Sequence, residues 1–365
     1  MLIKAYKYKL EPNQKQKQLL LQQLDLCRGL YNMCLEQKQY QRIGQFEQMR
    51  QLTELKQVFP EYKNCHAHML QNVIKRLDKS FQNFFRRLKE GTKPGYPRFK
   101  GKDRFDSLTF SDGCKLEGRK LSVSKIGNIK VRLSRELPDG AIVKTCSIKR
   151  SVNGWFAVLI FEYENIPLPK SKKKIGIDVG VTQFATFSDG TVIPNPRFYQ
   201  SAQPALRVAQ RRVARRKKGS HRRRKAIVLL RKLHEHISNQ RADFLHKHST
   251  AVVRKYGTIV VEALNVAGMS KGNLSKQILD CSWSEFFRQL TYKAAEAGRE
   301  FVAVDPRYTS QKCAICGHTS RENRKTQADF VCVSCGHADN ADHNGAVNIL
   351  SAWNKPSFAN VQVVI

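Results

Sequence analysis

Three acids stand where metal-assisted phosphodiester chemistry would need them. Asp178 closes the run Lys174-Ile175-Gly176-Ile177-Asp178-Val179-Gly180, and Glu262 closes Thr258-Ile259-Val260-Val261-Glu262. Asp342 lies in Asn340-Ala341-Asp342-His343-Asn344. The first two runs are apolar and β-branched, which is how a strand covered on both faces reads. An acid at the C-terminal end of such a strand sits where open α/β sheets hold their ligands. Three carboxylates brought together repel one another and cost stability unless a cation lies between them. No His or Ser is arranged as a nucleophile, so a mixed sheet presenting these acids fits hydrolysis with two Mg²⁺ ions about 3.5–4 Å apart, one activating water and one stabilising the leaving oxygen. Mn²⁺ would meet the same oxygen ligands. Asp178 is the expected bridging ligand, with Glu262 and Asp342 completing the sites. His343 is not needed as a general base, because a metal-bound hydroxide requires none. The plainer reading of each acid alone is a cap or a surface residue.

A second set of ligands is closed rather than open. Cys313-x2-Cys316 and Cys332-x2-Cys335 are separated by fifteen residues, the spacing of a four-thiolate zinc site. Gly317 and Gly336 follow the second cysteine of each pair and allow the turn that aims two sulfurs at one ion. Four thiolates fill the coordination sphere, so one structural Zn²⁺ is expected there, with His318 and His337 as bystanders. Cys27, Cys34, Cys65, Cys114, Cys146 and Cys281 follow no pattern and read as reduced, buried thiols.

The elements that must position these groups follow from periodicity. Residues 4–10 alternate as a strand, and Pro12 opens a helix to about Leu35. A helix over Ala67–Lys89 carries Leu70, Val73, Ile74, Leu77, Phe81, Phe84, Phe85 and Leu88 at 3-4 spacing. Its other face, with Gln71, Lys75, Lys79, Gln82 and Arg86, suits either solvent or nucleic acid. The helix stops at Gly91, and a rigid turn over 93–100 brings Arg98 and Lys100. Strands are expected at 107–111, 120–124 and 129–133, then a hairpin, Ile142–Arg150 and Trp155–Tyr163, turned at Asn153-Gly154. Residues 1–10 and 103–166 therefore form a small β-barrel-like domain, with helices of 11–102 inserted. Pro167–Lys174 reads as a linker. Beyond Asp178, Val181–Phe187 and Thr191–Ile193 start an antiparallel meander. Helix 284–298 and strand Phe301–Val304 lead into the cysteines. The expected second domain covers 171–305 and 338–355, interrupted by a ribbon at 306–337 and followed by a tail at 356–365.

Charge narrows the partner. The 365 residues include 65 Lys+Arg against 30 Asp+Glu, a net charge of +35 that implies a polyanion over a large surface. No apolar run approaches the roughly 18–20 residues of a membrane span. The start Met1-Leu2-Ile3-Lys4 has no signal-peptide h-region, so a cytoplasmic, nucleoid-associated protein is expected. Arg197 to Lys232 contains no acid at all. Within it, Arg211, Arg212, Arg215, Arg216, Lys217, Lys218, Arg222, Arg223 and Arg224 read as contacts to a phosphate backbone, with helix on either side of Gly219-Ser220.

The ordered set of motifs resembles the TnpB family, transposon-encoded RNA-guided endonucleases related to the compact type V CRISPR effectors. The resemblance rests on Gly176-Ile177-Asp178-Val179-Gly180, Val260-Val261-Glu262, Tyr308-Thr309-Ser310-Gln311-x-Cys313-x-x-Cys316-Gly317, Cys332-x-x-Cys335-Gly336 and Asp342-x-Asn344-x-Ala346-x-Asn348-Ile349. Gly95-x-Pro97-Arg98-Phe99-Lys100 and Asp243-Phe244-x-His246-Lys247 extend it over essentially the whole chain. It implies an RNase H-like (RuvC) nuclease domain with a zinc-ribbon insertion, and wedge and recognition domains at the N-terminus. It also implies a guide RNA from the transposon end, a double-stranded DNA target read beside a short flanking motif, and a catalytic triad of Asp178, Glu262 and Asp342. Ala263 and Gly345 depart from the family pattern, where another acid and an alanine are usual. The alternatives are a strand-transferring transposase, a guided or unguided binder with vestigial acids, and a zinc-ribbon RNA-binding protein. The transposase is disfavoured here because nothing reads as a helix-turn-helix.

Overall fold

The computed structural model describes residues 1–353, so the expected tail 356–365 and the last two positions of segment 338–355 lie outside the described residues. The chain divides into two compact units, Met1–Asn165 and Ile166 onward.

In the first unit, β1 (Leu2–Glu11) is followed by α1 (Gln14–Tyr40), α2 (Gln45–Arg50), α3 (Leu52–Val58) and α4 (Ala67–Lys89). Strands β2 (Ser107–Phe110), β3 (Cys114–Glu117), β4 (Lys120–Val123), β5 (Gly127–Arg132), β6 (Ile142–Ser151) and β7 (Gly154–Tyr163) complete it. The seven strands form one antiparallel sheet in the order β2-β6-β7-β1-β5-β4-β3. Strand β3 at one edge comes into contact with β6 near the other, so the sheet curls back on itself.

Helix α1 runs past the expected Leu35 to Tyr40. It starts with a capping box, in which Asn13 accepts from the backbone N–H of Gln16 and the Gln16 side chain accepts from that of Asn13. Helices α2 and α3 and strand β3 went unrecognised because each is only four to seven residues long, too short for periodicity to register. The α4 stripe is buried only from Met69 to Leu77. Beyond it, Phe85 and Leu88 are 53% and 58% exposed, so the expected apolar face ends before the helix does. Phe84 and Phe81 instead pack edge-on against Tyr96 of the following turn. The β6–β7 hairpin turns at Val152-Asn153, one residue earlier than expected, since Ser151 pairs with Gly154 and the glycine supplies the positive φ of +123°.

The second unit opens with an irregular segment whose backbone is already tied down: Arg299 Nη1 donates to the Pro169 carbonyl and Ser171 Oγ to that of Lys255. Strands β8 (Lys174–Val179), β9 (Gln183–Phe187) and β10 (Val192–Pro194) form the meander, with β9 starting two residues later than expected. Then come α5 (Phe198–Ala214), α6 (His221–Lys255), β11 (Thr258–Glu262), α7 (Val266–Met269), α8 (Ser275–Cys281), α9 (Trp283–Ala297) and β12 (Glu300–Val304). The short strands β13 (Asp329–Val331) and β14 (Ala338–Asn340) precede α10 (Ala341–Trp353). The sheet order is β10-β9-β8-β11-β12, with β8, β11 and β12 parallel and β9 and β10 antiparallel. The parallel strands are the apolar runs of the sequence: Ile175, Ile177, Ile259, Val260 and Val261 are fully buried. Helix α10 lies directly on β8, where a Cβ at Gly176 would come within 2.2 Å of the Ala346 carbonyl oxygen. Only glycine permits that approach, and it sits two residues before Asp178.

Candidate active site and metal-binding ribbon

The parallel register places the acids together. Ile177 of β8 pairs with Val261 of β11, so the next step brings Asp178 level with Glu262 at the strand ends. Helix α10 delivers Asp342 in its first turn, and the Gly345 position one turn on faces Asp178, with a Cβ there lying 3.1 Å from Oδ2. The glycine that departs from the family pattern therefore leaves room beside the central carboxylate.

The electrostatics are those of uncompensated negative charge. Burial pushes the Asp178 carboxyl up to about 8, with repulsion from Glu262 and then Asp342 adding to it. The Arg324 guanidinium and the Val179 backbone N–H pull in the opposite direction without cancelling it. Burial also raises Glu262, offset by a hydrogen bond from the Thr309 hydroxyl 2.5 Å away. Asp342 is raised by burial and lowered by Arg324, whose Nη2 lies 3.8 Å from Asp342 Oδ1. The three acids do not form a single-ion cage: among the described residues, only two other groups bring three or more ligand atoms within 4.8 Å of one another. His343 Nδ1 lies 2.7 Å from Asp339 Oδ2.

One of those groups is Cys313, Cys316, Cys332 and Cys335. Their sulfurs pair at 3.7 Å (Cys313–Cys335) and 3.5 Å (Cys316–Cys332), close to the roughly 3.8 Å that tetrahedral bonds of about 2.3 Å impose. A disulfide would need about 2.05 Å, and all four cysteines are free. Each knuckle is closed by a glycine N–H, Gly317 to the Cys313 carbonyl at 3.0 Å and Gly336 to that of Cys332 at 2.9 Å. Both glycines have positive φ. The buried Asn323 ties the knuckles together, donating to the Gln311 and His318 carbonyls and accepting from the Val333 N–H.

Sequence reasoning missed how ribbon and acids are joined. Asn344 and Asn348, on the helix that carries Asp342, both donate to the Lys312 carbonyl beside the first knuckle, and Asn344 also accepts from the Ala314 N–H. Asn348 further donates to the carbonyl of Thr309, the residue that holds Glu262. Both asparagines are buried, and their spacing of four residues on an apolar helix was the available signal. Nothing in the sequence singled out Arg324.

The basic candidates divide. In the first unit Lys75, Lys79 and Arg98 are exposed and Gln71 is half-buried. Lys100 is half-buried, with Nζ over the Tyr31 ring at 5.3 Å. In the second unit Arg211, Arg212, Arg215, Lys217, Lys218, Arg222 and Arg224 are exposed along the α5–α6 corner, with Arg216 half-buried. Arg212, Arg216 and Arg222 line one open hollow of about 480 Å³ with Lys225. Arg223 is half-buried, and its Nη1 donates to the Val213 and Arg216 carbonyls at the end of α5. No helix among the described residues is long and apolar enough to cross a membrane.

Comparison with known proteins agrees with these motifs. A family model described as "Probable transposase" matches residues 158–273, and one described as "Cas12f1-like, TNB domain" matches 283–349. A third, "Helix-turn-helix domain", matches 1–45, against the reading that nothing here resembles one; the structure builds those residues as one strand and one long helix, with α2 beginning only at Gln45. The chain is 33% identical to "Putative RNA-guided DNA endonuclease InsQ" of Escherichia coli (strain K12), over 96% of this chain and 92% of the relative. It is 32% identical to "Putative RNA-guided DNA endonuclease" of Streptomyces pristinaespiralis, over 96% and 89%. It is 31% identical to "CRISPR-associated endodeoxyribonuclease Cas12f1" of Sulfoacidibacillus thermotolerans, over 54% and 50%. The chain belongs to the TnpB family of RNA-guided DNA endonucleases.

Proposed function

We propose that the protein is an RNA-guided DNA endonuclease of a bacterial transposon, cutting at a two-metal centre built from Asp178, Glu262 and Asp342. The observation that carries this reading is that strand register and helix α10 bring Asp178, Glu262 and Asp342 together, close enough that burial and the other two carboxylates push Asp178 up. Such a cluster is costly on its own and fits hard divalent cations, Mg²⁺ or Mn²⁺, on carboxylate oxygens. Bound there, two such ions would supply an activated water and charge neutralisation for phosphodiester hydrolysis. Asp178, Glu262 and Asp342 would hold them, with Glu262 oriented by the Thr309 hydroxyl. Arg324 is placed to reach a phosphate oxygen beside Asp342. The ribbon would hold one Zn²⁺ on its four thiolates, and through Asn344 and Asn348 it would fix the helix that carries Asp342.

The arrangement of an RNase H-like (RuvC) nuclease domain, a zinc ribbon, and an N-terminal wedge with inserted recognition helices suits the two units and their sheets. Guide RNA and double-stranded target DNA would be the polyanions that +35 of net charge awaits. A cytoplasmic, nucleoid-associated location would follow from those partners. Sequence choice would rest on base pairing, with the protein reading backbone shape and a short flanking motif. The test is to express the chain with its native flanking DNA and sequence the RNA that co-purifies. One dominant species running from the transposon end into adjacent sequence is expected; heterogeneous RNA would overturn the guided reading and favour a transposase or a general binder.

The α5–α6 corner makes a separable prediction. Arg222→Ala should weaken nucleic-acid binding without changing stability, and should lower the slope of log affinity against log salt by about one. Arg223→Ala should instead lower the melting temperature, because it frees two helix-end carbonyls. Salt-titrated binding and thermal melts of the two variants check the contrast.

A further inference from the structure

We infer that His66, His68 and Asp112 form a second transition-metal site, for one Zn²⁺ ion, at the start of α4 in the first unit. The three donor atoms all lie within 4.8 Å of one another. His66 caps α4 and His68 stands in its first turn, while Asp112 lies in the β2–β3 turn. The two rings meet edge-on, centroids 5.6 Å apart, and both aim at the same carboxylate oxygen.

A plain imidazole–carboxylate pair accounts for only half of this. His68 Nδ1 sits 2.5 Å from Asp112 Oδ1 and needs nothing more. His66 is different. Its side chain is 19% exposed, its Nδ1 is buried with no hydrogen-bond partner, and its Nε2 stops 3.6 Å from Asp112 Oδ1, beyond hydrogen-bond reach. Nε2 is the ring atom that faces Asp112 and the one an ion would take; the unpartnered Nδ1 lies across the ring from it. Two ligands at about 2.0–2.1 Å from a tetrahedral ion stand about 3.3–3.4 Å apart, within a few tenths of the His66–Asp112 gap. The half-exposed His68 would swing outward by under about 1 Å to take the third position, leaving the fourth to water. Gly113 keeps the approach open, since a Cβ there would lie 2.8 Å from His66 Nε2.

Two imidazoles and one carboxylate favour zinc-like ions over Mg²⁺, so this site would not compete for the ions of the acidic centre. The Asp112 charge offsets the positive end of α4, which alone would repel a cation. Bound metal would clamp the first turn of α4 to the β2–β3 turn and so fix the helix bearing Gln71, Lys75 and Lys79. The inference stands whether or not the chain cuts DNA.

The test uses the full chain, equilibrated with Zn²⁺ in excess Mg²⁺, desalted and assayed for zinc by mass spectrometry. Two zinc ions per wild-type chain are expected, and one in His68→Ala, in Asp112→Asn and in a Cys332→Ser, Cys335→Ser variant. Both His68 and Asp112 are substantially exposed, and Asp112→Asn preserves shape, so circular dichroism should show an intact fold. A second measurement adds Co²⁺ to the double-cysteine variant, where weak ligand-field bands that vanish on adding His68→Ala are expected. One zinc in the wild type, or two retained in both His68→Ala and Asp112→Asn, would overturn the inference; so would Co²⁺ bands indifferent to His68.

Discussion

Asp178→Ala is expected to abolish target cleavage while leaving RNA and DNA binding within about twofold of wild type. The carboxylate is the central one of the three, sensed by both Glu262 and Arg324 and faced by the helix that delivers Asp342. Removing it takes away the group that would hold both ions. Charge stabilisation by such ions is worth several kcal/mol in the transition state, so the cutting rate should fall by about 10³-fold or more. Binding should survive because the exposed cations that would meet phosphate, such as Lys217, Lys218 and Arg222, belong to the α5–α6 corner rather than to the acid cluster. Single-turnover cleavage alongside a binding titration separates the two quantities. Equal loss of both would mean that Asp178 supports the fold rather than the chemistry.

Asp178→Asn should stabilise the metal-free protein at high pH. A carboxyl raised from about 3.8 to about 8 on folding keeps its proton in the folded state over a pH range where the unfolded chain has lost it. Folded protein therefore binds more protons between about pH 4 and 8, and its stability falls as pH rises through that window. Asn keeps the shape without the titration. In metal-free protein it should gain nothing near pH 4 and on the order of 2 kcal/mol by pH 8 to 9, a melting rise of roughly 4–8 °C in a unit of this size. Saturating Mg²⁺ should close the gap, because the ions favour the wild type. Melts at several pH values, with and without Mg²⁺, check this. An Asn variant less stable than wild type at pH 8 would show that Asp178 is already compensated by other groups.

Much of the site was readable because its parts are local. The buried runs around Asp178 and Glu262 carry their own strand signal, and the cysteine pairs carry their own spacing. What escaped depends on contacts distant in sequence. Arg324 reaches Asp342 from eighteen residues away through a ribbon whose folding no periodicity reports. Thr309 finds Glu262 across 47 residues. Arg223 looked like its neighbours in an acid-free run, yet the α5–α6 corner turned it inward onto two carbonyls. In the first unit, the α4 stripe continued in sequence to Leu88, but after Leu77 its half-buried rings Phe81 and Phe84 turn to Tyr96, and Phe85 and Leu88 are exposed. Periodicity describes a helix face; it does not say where the neighbour that buries it stops.

The most direct test of guided cutting at this centre is to exchange the guide segment. The protein would be assembled with its co-purifying RNA, or with the same RNA carrying a new guide segment, and given plasmid targets matching each in the presence of Mg²⁺. The cut is expected to move to the newly matched target, to leave free ends, and to disappear in Asp178→Ala. A cut that ignores the guide, or products in which one DNA end is joined to another strand, would contradict guided cutting at this centre.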